Sequence, residues 1–188
     1  MLKEFKDDFF LVGGTAIALY LGHRRSIDFV LASLEVFDNM SMRARLEPTK
    51  IINRVVVDKK GELTVFIDDV KLTFFHYPFA VHCSADFDGV IKMPDLLSLA
   101  TMKAYVLGRR AKWKDYVDLY FIIKDEHSLG EIAAKGKQIF GGEFNEKIFR
   151  TQLAYFDDID YSEQIEFMPG FAVDDETVKK SLTDFSLT

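Results

Sequence analysis

The sequence predicts an α+β protein, a small mixed or antiparallel sheet flanked by helices and followed by a helical C-terminal half. Short apolar runs bounded by glycine or aspartate, Phe9 to Val12 and the stretches between Asn53 and Phe75, have the length and punctuation of strands. From Pro94 onward the apolar residues recur instead at helical spacing. The chain has 188 residues, 48% hydrophobic and 14% aromatic, enough to bury the core of one domain or of two small ones. The change of periodicity divides it into an α/β core over residues 1–92 and a helical region over residues 93–188 that packs across a cleft.

The chain is organised around the segment from Leu11 to Val30. Phe9 to Val12 is a buried strand. Gly13 and Gly14 lack a Cβ and let the backbone turn sharply and approach another group closely. Thr15 to Leu21 is a helix of good formers that Gly22 ends. Free N–H groups at such a helix start converge on one spot, an arrangement that holds phosphates. Next comes a strand from Ser26 to Leu31. Alternation puts Ile27, Phe29 and Leu31 on one face and Ser26, Asp28 and Val30 on the other.

Glu35 to Arg45 reads as a helix of mixed charge closed by Pro48, with Arg43 and Arg45 on a solvated face. Ile51 to Val57, Glu62 to Ile67 and Val70 to Phe75 form an antiparallel meander, joined by turns at Asp58 to Gly61 and at Asp68-Asp69. A loop follows Pro78. Pro94 and Asp95 open a helix whose stripe is Leu96, Leu99, Ala100, Ala104 and Leu107, and Lys103 falls close to the middle of it. Either the lysine stem packs there while its ammonium escapes at the edge, or the ammonium points at an anion. After Arg109, Arg110 and Lys112 a second helix carries Lys114, Asp115 and Asp118 into an apolar run, where Asp118 requires a partner among Lys103, Lys114 and Arg109. Trp113 lies within this basic stretch, which reads as a solvated loop or as a nucleic-acid contact. Helices over Leu129 to Phe140, Phe144 to Phe156 and Val173 to Phe185 complete the chain, with an acidic turn at Asp157, Asp158 and Asp160.

Bulk properties narrow the function. The formal charge of −6 argues against a protein that coats nucleic acid electrostatically. No apolar run is long enough to cross a membrane, and the acidic first residues are not a signal peptide. The single cysteine, Cys83, excludes an intrachain disulfide and fits a reducing, cytoplasmic setting. His23 reads equally as a phosphate contact and as a surface or capping residue, and His76, His82 and His127 match no metal-ligand set.

The order Gly-Gly-Thr, helix, Gly-His-Arg-Arg-Ser and then a strand aspartate resembles the AbiEii abortive-infection toxin family, a branch of the DNA polymerase beta-like nucleotidyltransferases. The likeness extends through Val70 to Pro78, through Lys103 and the Lys-Asp-x-x-Asp at Lys114, Asp115 and Asp118, and into the tail from Leu153 to Phe171. The resemblance implies transfer of a nucleotide from a nucleoside triphosphate to an RNA, such as tRNA, or to a protein hydroxyl. It also implies a cognate antitoxin partner and a pair of Mg2+ ions held by three aspartates. Two of those aspartates stand two residues apart on one strand, hence on one face and roughly 6–7 Å apart, a spacing that suits a metal pair. Here the three positions hold Asp28, Val30 and Thr73.

By the same resemblance Asp28 binds metal, and Gly13, Gly14, Thr15, Arg25, Ser26, Arg109 and Lys114 bind nucleotide. Asp28, Lys103 and Asp118 form its catalytic set. A lone carboxylate holds two dications poorly. The expectation is therefore a relative with weak or absent Mg2+ binding and weakened or lost transferase activity. The alternative is an inactive relative that acts as a nucleotide-binding or regulatory module. For Asp118, a structural ion pair between helices competes evenly with a nucleotide-orienting role.

Overall fold

The computed structural model describes residues 1–46, 51–107 and 109–188, and the chain divides into two compact units. The first comprises Met1–Ala16 and Ile27–Asp95, the second Ile17–Ser26 and Leu96–Thr188. The expected helix stop at Pro48 lies outside the described residues.

In the first unit, strands β1 (Phe10–Val12), β2 (Phe29–Ser33), β3 (Arg54–Lys59), β4 (Glu62–Ile67) and β5 (Val70–His76) form a five-stranded sheet in the order β1-β2-β5-β4-β3. The β2·β5 pair is parallel and the others antiparallel, which makes the sheet mixed. The expected meander is β3-β4-β5. Its second turn is made by Asp68 and Asp69 at φ 47° and 65°, a left-handed pair that matches the twist of a hairpin and that aspartate tolerates.

Register separates the two faces of this sheet. Leu31, Leu63, Val65, Leu72 and Phe74 are fully buried on one face, where Phe5 and Phe9 pack their rings on Phe74. Val30 lies beside Thr73, and Thr73 beside Thr64, on the opposite face.

Several boundaries differ from those read in the sequence. Strand β2 begins at Phe29 rather than Ser26, and Ile27, assigned to an apolar face, is 58% exposed. Helix α1 (Gly13–Leu21) starts directly after β1, two residues before Thr15. Helix α2 (Asn39–Leu46) begins at Asn39 and not at Glu35, because the Asp38 carboxylate accepts the Ser41 N–H and hydroxyl and caps the first turn. The segment expected as a loop after Pro78 contains a hairpin, β6 (Ala85–Phe87) and β7 (Ile91–Met93), which buries Ile91 and Met93 and leaves Lys92 exposed between them. Its turn bonds the Gly89 N–H to the Asp86 carboxylate.

The second unit is helical: α3 (Leu96–Leu107), α4 (Trp113–Asp125), α5 (Leu129–Phe140), α6 (Glu146–Leu153) and α7 (Asp175–Ser186). Helix α5 has the expected bounds, set by a reciprocal cap between Ser128 and Glu131. Helix α6 is shorter than expected because the Asn145 side chain accepts the Ile148 N–H, leaving Phe144 extended and packed between Phe140 and Phe149. Asp174 likewise caps α7. The predicted α3 stripe is buried, and α3 packs on α4, α5 and α6. Among the described residues no helix is long and apolar enough to cross a membrane.

Candidate functional site

The residues singled out in the sequence fall into two groups, one in each unit.

In the first unit, Gly13 takes φ +75° at the strand-to-helix junction. A Cβ there would stand 3.3 Å from Val30 Cγ2, so glycine is required both by the dihedral and by the approach of β2. The Thr15 hydroxyl donates to the Asp28 carbonyl and ties the first turn of α1 to the residue before β2. Gly13, Thr15, Asp28 and Val30 are thus one contiguous group. The Asp28 carboxylate faces Lys71 on β5, whose Nζ lies 2.8 Å from Oδ2, and the two side chains are 37% and 34% exposed.

Lys71 is a residue that the sequence reading passed over. The signal was present: in Val70-Lys71-Leu72-Thr73 alternation puts Lys71 on the face of Thr73, and parallel pairing of β2 with β5 places Asp28 opposite it. At Thr73 the hydroxyl meets that of Thr64 at 3.2 Å. One carboxylate already paired with an ammonium, one isopropyl group and one bonded hydroxyl do not fit a two-metal centre. Among the described residues no group of three or more His, Cys, Asp or Glu side chains is placed to hold a metal ion.

The second group is a buried charge network. Asp118, fully buried in α4, accepts from Arg24 Nε at 2.7 Å, Arg24 Nη2 at 2.9 Å and His23 Nε2 at 2.8 Å, and pairs with Lys103 Nζ at 2.8 Å. Lys103 also donates to Asp115 at 2.6 Å, and Arg110 reaches the same carboxylate at 3.1 Å. Burial by itself would raise the Asp118 pKa, but the charges of Lys103 and Arg24 and the bonds from His23 and Arg24 hold it far below the ordinary carboxylate range. Burial by itself would lower the Arg24 pKa, but the charge and hydrogen bonds of Asp118 together with the charges of Asp115 and Glu163 leave it raised.

Of the partners expected for Asp118, Lys103 is the one found, joined by Arg24 and His23 from the turn after α1. The Lys103 ammonium, for which an anion was one expectation, is only 4% exposed and held by two carboxylates. His23 is no surface residue: it is fully buried, its ring lies against Phe121, and its Nδ1 has no hydrogen-bond partner among the described residues.

The basic stretch is largely neutralised. Arg109 donates to the Tyr105 hydroxyl and stacks over its ring, Lys112 bonds Glu163, and Lys114 pairs with Glu163 at 3.3 Å. Glu163 is lowered, chiefly by the bond from Lys112. Trp113 is buried with its indole N–H on Asp175, which removes it as a platform for a base. Arg25 reaches Glu166 at 3.3 Å at the surface, and its backbone N–H bonds the Glu166 carbonyl. Ser26 follows it as the last residue of that segment. In the acidic turn, Asp160 accepts the Ser162 N–H and lies 3.7 Å from Lys112.

No protein-family model matches the chain. It is similar to the uncharacterized protein aq_aa25 of Aquifex aeolicus (strain VF5), 27% identical over 184 residues, which covers 95% of this chain and 88% of that protein. Among solved structures it is similar to JHP933 from Helicobacter pylori, with a TM-score of 0.63 and 17% identity over 99% of this chain and 85% of that one. It is also similar to MenT4, a nucleotidyltransferase toxin from Mycobacterium tuberculosis H37Rv, with a TM-score of 0.62 and 12% identity over 96% of this chain and 75% of that one. At these identities the likeness is one of fold, and the chain has a nucleotidyltransferase-like fold.

Proposed function

We propose that this is a nucleotidyltransferase-like protein of the AbiEii toxin class that binds nucleoside triphosphate and has weakened or lost transferase activity. The observation that carries the reading is the junction of β1 and α1. There Gly13 adopts a positive φ against Val30, and Thr15 is tied to Asp28. Gly13, Gly14 and Thr15 hold the phosphates at this junction. Asp28 is the remaining member of the metal face, so Mg2+ binds weakly or not at all. Where activity persists, a hydroxyl of RNA or protein attacks the α-phosphorus, the bond to the β-phosphate oxygen breaks, pyrophosphate leaves and the hydroxyl proton passes to solvent. By the resemblance a cognate antitoxin is the protein partner.

The second reading is a non-catalytic nucleotide-binding or regulatory module. The substitution of Val30 and Thr73 for carboxylates and the pairing of Asp28 with Lys71 favour it.

Incubation with each labelled triphosphate, Mg2+ or Mn2+ and bulk tRNA separates the two, with Asp28→Ala as the control. Label transferred by the wild type and lost in the control marks an active enzyme. Triphosphate binding without transfer marks a module, and absence of binding refutes both.

A further inference from the structure

We infer that Lys71 supplies the positive charge at the Asp28 face in place of a metal ion, so that triphosphate is held there without a divalent cation. The inference rests on the triphosphate reading above and deepens it. A two-metal face needs several carboxylates converging on the ions, because each ion gives up hydration only to a dense set of oxygen ligands. At the positions that would supply them, this chain has Asp28, Val30 and Thr73. Val30 fills the space against Gly13, and Thr73 shares its hydroxyl with Thr64. The remaining carboxylate has a cation of its own, the Lys71 ammonium at 2.8 Å.

A dication approaching Asp28 would have to displace or repel that ammonium. An anion meets the opposite situation. Lys71 has three N–H donors, and one directed to Asp28 leaves two for phosphate oxygens. Its side chain is a third exposed, so solvent and ligand reach it. Thr15, bonded to the Asp28 backbone, places the first turn of α1 next to this pair. Asp28 changes role accordingly. It pairs with the ammonium, and it makes no contact with a metal.

Asp28→Asn separates this arrangement from a metal-held one by sign. If a metal bridges protein and phosphates, neutralising its carboxylate ligand weakens binding. If Lys71 carries the charge, removing the neighbouring negative charge leaves binding as tight or tighter, because the ammonium keeps its full charge and loses a competitor.

The experiment is titration of wild type, Lys71→Ala, Lys71→Arg and Asp28→Asn with ATP, GTP, CTP and UTP, each in excess EDTA and in excess Mg2+, by calorimetry. Circular dichroism confirms the fold of each variant. The pair is exposed enough to add little to stability, so the variants fold. Expected are equal affinities with and without Mg2+, a loss of about tenfold in Lys71→Ala, equivalent to about 1.4 kcal/mol, retention in Lys71→Arg, and no loss in Asp28→Asn. Binding that appears only with Mg2+, or Lys71→Ala binding as tightly as wild type, overturns the role of Lys71 and leaves the triphosphate reading standing. Absence of binding in both buffers refutes the triphosphate reading and this inference with it.

Discussion

Replacing Asp118 by asparagine tests whether the buried network holds the helical unit together. The carboxylate faces Lys103 and Arg24, whose side chains are 4% and 3% exposed. Unit charges roughly 4 Å apart attract by about 4 kcal/mol at an effective dielectric of 20, so the two cations together contribute about 8 kcal/mol gross. Desolvation of the buried ions offsets much of that. Removing one member is a different matter from removing all of them. Lys103 retains Asp115, but the Arg24 guanidinium loses its carboxylate and keeps the Arg25 carbonyl. A buried charge stranded in this way costs about 3–5 kcal/mol.

For a chain of this size about 1 kcal/mol moves the melting temperature by about 2–4 °C, so the expected fall is about 6–20 °C. Urea denaturation at pH 7 measures it directly. The control is Asp184→Asn, which breaks the exposed Lys180–Asp184 pair on α7 and should leave the midpoint in place. The acid limb gives a second readout. The folded Asp118 pKa lies below its unfolded value of about 3.9, so its contribution is fully present above that pH and declines as pH falls toward the folded pKa, by about 1.4 kcal/mol per pH unit. In Asp118→Asn this one-proton dependence disappears. A midpoint shift no larger than that of the control, with an unchanged acid limb, would refute the structural role and leave Asp118 to nucleotide handling alone.

Further outcomes follow from single contacts. Val30→Asp with Thr73→Asp restores two carboxylates to the face of Asp28 and should produce Mg2+ binding detectable by calorimetry where the wild type shows little, and no gain would displace the proposed face. Gly136→Ala should destabilise the protein by about 1–3 kcal/mol in urea although alanine favours helix, because its Cβ would lie 2.8 Å from the Phe144 ring. Stabilisation would show that the ring moves aside freely. The Cys83 thiol is pushed up to about 11, chiefly by burial, so native protein at pH 8 should react slowly with Ellman's reagent and denatured protein quickly. Equal rates would contradict that environment.

The local code of the chain determined most of its elements. Strand β1 and its glycines, the β3-β4-β5 meander with its Asp68-Asp69 turn, the stripe of α3 and the bounds of α5 are all set by periods and punctuation that act within a few residues. Capping by Asp38, Asn145 and Asp174 shifted helix starts by a few positions, a local effect that a broader reading of periodicity overlooks. The β6-β7 hairpin was written in the alternation of Ile91, Lys92 and Met93 but was too short to stand out. The nature of the charged residues was decided elsewhere. Lys103 at the centre of an apolar stripe could have packed its stem, sought an anion or found a carboxylate. Tertiary structure decided, by bringing His23 and Arg24 from one turn and Asp115 and Asp118 from α4 to the same buried point, 95 residues separating His23 from Asp118. Lys71 likewise acquires its meaning from the parallel pairing of β2 with β5, across strands far apart in sequence. Burial and charge pairing depend on which distant groups arrive together, and periodicity along one segment carries no record of that.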